Sequence, residues 1–109
     1  MPTAYKVLGQ LASAATTNET LYTCPSATQT VVSTLVVCNR AASARSYRIA
    51  VRRDGATLAT SQYIAFDVAI AANDSTALTL GITIDAGDII TVYASTADLT
   101  FTAFGSELT

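Results

Sequence analysis

The segment Ser46-Tyr-Arg-Ile-Ala-Val-Arg52 alternates apolar with small or polar side chains, and the same period of two runs through most of the chain. That period puts successive side chains on opposite faces of a β-strand, whereas a helix face needs apolar residues every 3.6 positions. Tyr47, Ile49 and Val51 therefore share one side, and Arg48, Ala50 and Arg52 the other. Leu78, Leu80, Ile82 and Ile84 make a second row, Ile90, Val92 and Ala94 a third, and Leu99, Phe101 and Ala103 a fourth. These rows are the predicted core. Thr and Val dominate the best segments, and both suit a pleated, half-buried surface.

Eight strands are expected: Tyr5 to Gln10, Thr20 to Cys24, Thr30 to Arg40, Arg45 to Arg53, Thr60 to Ile70 with a break near Phe66-Asp67, Ser75 to Ile84, Asp88 to Ser95, and Leu99 to Leu108. Turn chemistry separates them. Asp54-Gly55 supplies positive φ angles, and Asn73-Asp74, Asp85-Ala-Gly-Asp88 and Thr96-Ala-Asp98 are turn formers. Leu11 to Ala15 is short, uncapped and without an apolar stripe, and is expected to be loop. Turn signals every 8 to 12 residues or so indicate an antiparallel β-sandwich, immunoglobulin-like or jelly-roll. A chain of 109 residues makes one domain, residues 1–109.

Val31 to Cys38 is apolar on both faces, as expected of a central strand whose outer face is also covered. In so small a chain that cover has to come from a neighbour. Half of the residues are hydrophobic and only 13% are charged, so apolar surface left over from the core is expected to meet a partner, and a homo-oligomer is the expectation. The opening Met1-Pro-Thr-Ala-Tyr-Lys-Val-Leu-Gly9 lacks the apolar run of a signal peptide, and no window has the length for a membrane-spanning helix. Neither secretion nor membrane insertion is expected.

A hairpin turned by Pro25 to Thr28 would set Cys24 opposite Gln29 and leave Cys38 about 30 Å along the next strand. A disulfide needs Cα atoms within about 7 Å. The two cysteines are expected to be free, buried thiols.

The chain has no histidine and no tryptophan. Without histidine it loses the usual general base and the commonest transition-metal ligand, and two cysteines far apart in register do not close a zinc site. Asp85 and Asp88 invite a pairing for acid–base work, or with Asn73-Asp74 a calcium site, but they flank a Gly-containing turn and lack the regular spacing of a calcium loop. Turn formation explains them. Phosphate-cradling glycine motifs are missing too. No catalytic residue, cofactor or metal is expected, and the aromatic residues are scattered along the sequence.

Charge is unevenly placed. Arg40, Arg45, Arg48, Arg52 and Arg53 are five of the six basic residues, while seven of the eight acids come after them. Nucleic acid is an unsuitable partner for a chain of net charge −2. Two readings of the arginines stay open: a solvated outer face, or a protein interface whose guanidinium groups meet carboxylates of another chain and set the register of assembly.

Five segments, Tyr5-Lys-Val-Leu-Gly-Gln10, Val32-Ser-Thr-Leu-Val-Val-Cys-Asn-Arg40, Tyr47-Arg-Ile-Ala-Val51, Asn73-Asp-Ser-Thr-Ala-Leu-Thr-Leu-Gly-Ile-Thr-Ile84 and Phe101-Thr-Ala-Phe-Gly-Ser-Glu107, resemble small structural proteins of tailed bacteriophages, including those of cyanobacteria and marine bacteria. The resemblance spans nearly the whole chain and lies in strand and turn residues. It implies a non-enzymatic β-sandwich of the virion, made in the host cytoplasm and bound to other virion proteins as a tail or baseplate accessory or as capsid decoration. It carries over no active-site residue. A carbohydrate- or receptor-binding module of the particle is the alternative.

Overall fold

The computed structural model describes residues 2–109 and is built from strands. In chain order they are β1 (Thr3–Ala12), β2 (Glu19–Thr23), β3 (Gln29–Asn39), β4 (Arg45–Arg52), β5 (Tyr63–Ile70), β6 (Ser75–Leu78), β7 (Ile82–Asp85), β8 (Ile89–Ala94) and β9 (Leu99–Leu108), with two single 3-10 turns between β4 and β5. The first sheet runs β1-β9-β3, with β6 and β7 end to end along the far side of β3; the second runs β2-β8-β4-β5. Every strand pair is antiparallel.

The pairs nest when β6 and β7 are counted as one interrupted strand: β1 with β9, β2 with β8, β3 with β6–β7, β4 with β5. This is the order of a jelly roll rather than of an immunoglobulin domain, in which the first two strands lie side by side. Leu35, Val37 and Phe101 from one sheet pack against Ile49, Ile90 and Val92 from the other, all essentially without solvent contact. Tyr47 meets Phe101 edge to face, with ring centroids 6.4 Å apart.

Three of the four expected core rows are interior, and β3 is central in its sheet as its two-sided apolar pattern requires. The Leu78–Ile84 row needs correction. Gly81 sits at φ +63°, which ends the pleat, so the expected strand splits into β6 and β7 and Leu80 turns out to solvent at 52% exposure. The strand expected from Thr60 begins only at Tyr63, and its break near Phe66-Asp67 is a bulge with Asp67 at φ +49°. Leu11 and Ala12, expected in a loop, continue β1. Asp54 and Gly55 do take positive φ, 53° and 68°, but a longer connection follows before β5.

The hairpin expected at Pro25 to Thr28 is not formed. β2 belongs to the second sheet and β3 to the first, so this link crosses the sandwich. The thiols are free nonetheless: Cys24 is buried with its Sγ 3.2 Å from Thr30 Oγ1, while Cys38 is only partly buried and lies opposite Thr100, eight positions along β3 from Thr30. Asn39, almost fully buried, ties two loops together; its Nδ2 donates to the Ser43, Ile70 and Ala71 carbonyls and its Oδ1 accepts from the Ala41 amide.

Candidate interaction surfaces

Residues directly opposite in register lie on the same face of a sheet, so the pairing settles what each outer face presents. In the second sheet, Arg48 pairs with Tyr93, Ala50 with Thr91 and Arg52 with Ile89; Ala50 also lies opposite Tyr63. The centre of this face is Arg48. Its guanidinium donates to both carboxylate oxygens of Asp67, at 2.7 and 3.3 Å. It also stacks 4.2 Å from the centroid of Phe66 and 4.3 Å from that of Tyr93. Tyr63 meets Phe66 edge to face at 4.9 Å. The hydrogen bond to Asp67 chiefly raises the Arg48 pKa, so the charge is permanent.

The Asp67 bulge is what makes this cluster. By interrupting the register of β5 it gathers Tyr63 and Phe66 over the one arginine that β4 points outward at its middle. The aromatic residues expected to be scattered are, for Tyr63, Phe66 and Tyr93, collected on one face. Sequence spacing offered no signal for this.

The five arginines are distributed along the length of β4 and its flanks. At one end, Arg45 Nε lies 3.3 Å from Asp98 Oδ2 and 2.9 Å from Thr96 Oγ1, while Arg40 donates to the Ala97 carbonyl. Hydrogen bonds from Thr96 and then Arg45 hold the Asp98 carboxyl below the usual carboxylate range. At the other end, Arg52 donates to the Ala56 and Gly55 carbonyls. Four of the five thus serve loops and carboxylates of their own chain. Arg53 borders a cleft of about 510 Å³ at the end of the sandwich, shared with Gln29, Val51, Asp85, Asp88 and Leu108.

The paired aspartates are turn formers, as their spacing suggested. Asp88 accepts the amides of Asp54 and Asp85, and Asp85 accepts that of Ala86. No group of three or more potential metal ligands occurs among the described residues.

The first sheet presents a different outer face. Register places Thr3, Tyr5, Val7, Gln10 and Ala12 of β1 there, with Thr100, Thr102, Phe104, Ser106 and Leu108 of β9 and Gln29, Val31, Thr34, Val36 and Cys38 of β3. Ser75, Ala77 and Thr83 continue it on β6 and β7, and among the described residues that register places on this face Asp85, at one corner, is the only charged one. Tyr5 is 85% exposed, Val7 48%, Val31 42% and Phe104 40%, and they adjoin: Tyr5 and Val31 both flank Ser106, and Val7 is opposite Phe104. Tyr5, Val31, Ser33, Phe104 and Ser106 outline a shallow depression of about 480 Å³, with Lys6 at its border.

The acid of β9 is turned inward and holds a half-exposed lysine of β1. Lys6 lies 2.6 Å from Glu107, which is 8% exposed and also accepts the Tyr22 hydroxyl. Tyr22 in turn meets Thr30 Oγ1 at 2.8 Å. The Lys6 and Tyr22 hydrogen bonds hold Glu107 below the ordinary carboxylate range, and burial, then Glu107, pushes the Tyr22 phenol up. A carboxylate in a sandwich core is costly unless paired and hydrogen-bonded, and both conditions are met here.

A comparison of the chain with protein-family models finds no match, and one with curated proteins finds none either.

Proposed function

We propose that this chain is a non-enzymatic structural protein of a tailed-phage virion, working by covering and being covered. Its place in the particle is at the tail or baseplate or on the capsid, bound to other virion proteins and assembled in the host cytoplasm. The observation that carries the reading is the outer face of the first sheet, a continuous, nearly uncharged surface on which Tyr5, Val7, Val31 and Phe104 stand in water. Such a patch on a small protein marks a contact surface. The resemblance of the five strand and turn segments supports the phage assignment, and jelly rolls recur in viral capsid and lectin domains, which supports it by analogy of fold. Repeated copies in a symmetric particle multiply weak contacts, so individual interfaces can be modest.

The test is direct. Virions banded in a density gradient and labelled with gold-conjugated antibody against this chain are expected to carry gold at the tail, baseplate or capsid. Recovery of the chain only from the soluble fraction contradicts the reading.

A second reading, a carbohydrate- or receptor-binding module of the particle, is favoured by the Tyr63, Phe66 and Tyr93 cluster on the other sheet. Against it, Arg48 already occupies one face of both the Phe66 and Tyr93 rings, which a stacked sugar would need. Binding on a glycan array that is lost in Phe66→Ala supports this module; a blank array removes it.

A further inference from the structure

We propose that the outer face of the first sheet is a self-complementary dimer interface, covered by the same face of a second copy of this chain. The inference rests on the reading of the protein as one that works by surface contact, and it names the surface and the occupant.

The occupant follows from chemistry. Among the described residues this face carries one corner carboxylate, and the nearest cation, Lys6 at its edge, is already paired with Glu107, so a charged partner finds little to pair with and covering the face with charged groups would desolvate them without return. An uncharged face meets no like-charge repulsion from its own copy. Its polar groups are chiefly hydroxyls, Thr3, Thr34, Thr100, Thr102 and Ser106 among them. A hydroxyl both donates and accepts, so hydroxyl rows can bond to themselves across a twofold axis. Carboxylate or ammonium rows cannot.

Size agrees. Four strand positions at about 4.8 Å and about ten residues at about 3.3 Å make a face of roughly 600 Å². Two copies then cover roughly 1,200 Å², the lower bound of specific interfaces. The second sheet is a poor site for such pairing, because a twofold would bring Arg48 and Arg52 of one copy toward those of the other.

Sedimentation equilibrium of the wild-type chain is expected to give twice the 11.3 kDa monomer mass. Tyr5→Arg changes a side chain 85% in solvent and Phe104→Arg one that is 40% exposed, so the monomer fold should tolerate both. Each is expected to weaken self-association by roughly 100-fold or more. Leu80→Arg, a control outside this face, should leave the dimer intact. An equimolar mixture of Phe104→Arg and Phe104→Glu is expected to recover the dimer better than either alone. A wild-type monomer at high concentration, or dissociation by Leu80→Arg and not by Tyr5→Arg, overturns the proposal. Neither outcome touches virion labelling, which tests the particle assignment separately.

Discussion

The two outer faces of this sandwich are built from the same pleated geometry and end up as opposites. On the β2-β8-β4-β5 sheet, charge points outward and is answered on the spot: Arg48 is bracketed by Asp67, Phe66 and Tyr93, and Arg52 by loop carbonyls. On the β1-β9-β3 sheet, Glu107 is buried and ties down the half-exposed Lys6 at the edge, and the outer face is left to hydroxyls, Val, Tyr and Phe. Net charge does not reveal this division. A face whose polar groups are already satisfied has little to offer a partner, while a face whose apolar groups are not has something to gain by being covered.

The largest expected effect strikes the uncharged sheet itself. A Cβ added at Gly105 would fall on the Val31 carbonyl and against Val32 Cα, both backbone, where β9 passes the β3 bulge. Gly105→Ala should therefore lose on the order of 3 kcal/mol in denaturant unfolding. Gly81→Ala meets nothing within 4 Å and violates only the positive φ, so about 1 kcal/mol is expected. If the two cost the same, close approach of backbones is not what requires glycine at 105.

On the charged face, Arg48→Ala removes the Asp67 bonds and both ring contacts, and should lower the thermal midpoint by about 4–8 °C. It should leave self-association unchanged; dissociation of the dimer by this substitution would erase the distinction between the faces.

Acid sharpens the comparison further. Because folded Glu107 releases its proton more readily than an unfolded glutamate, its stabilisation is fully present above the ordinary glutamate pKa and is lost as pH falls through the lower folded value. Stability measured from about pH 5 downward should decline more steeply in the wild type than in Glu107→Gln, which has no such proton to gain. The smallest effect is predicted for salt: raising NaCl from about 0.05 to 0.5 M should change the dimer dissociation constant less than about twofold, since no ion pair crosses an uncharged interface.

Strands were legible because alternation needs only neighbours in sequence. Tyr47, Ile49, Val51, Leu99, Phe101 and Ala103 declared their sidedness without reference to the rest of the chain. The partition into sheets was not legible, since alternation separates inside from outside but says nothing of which strand lies beside which; β1 pairs with β9, and Tyr22 reaches Glu107 across 85 positions. The break in the Ser75–Ile84 segment did carry a signal, the isolated Gly81. The gathering of Tyr63, Phe66 and Tyr93 carried none, because it depends on the β5 bulge and on β4 lying between β5 and β8. The clustering of the arginines along one strand and its flanks is plain in the sequence, yet the carboxylate partners Asp67 and Asp98 come from other strands and turns that only the fold brings near.

Hydroxyl-radical footprinting read by mass spectrometry tests the difference between the faces at single side chains. In the isolated chain Tyr5 is 85% exposed and Phe66 53%, so a free monomer must label Tyr5 readily. The account predicts that Tyr5 and Phe104 are protected in the concentrated wild-type protein and become reactive on dilution or in Val31→Arg, while Phe66 labels equally throughout. Rapid, concentration-independent labelling of Tyr5 and Phe104 would contradict it.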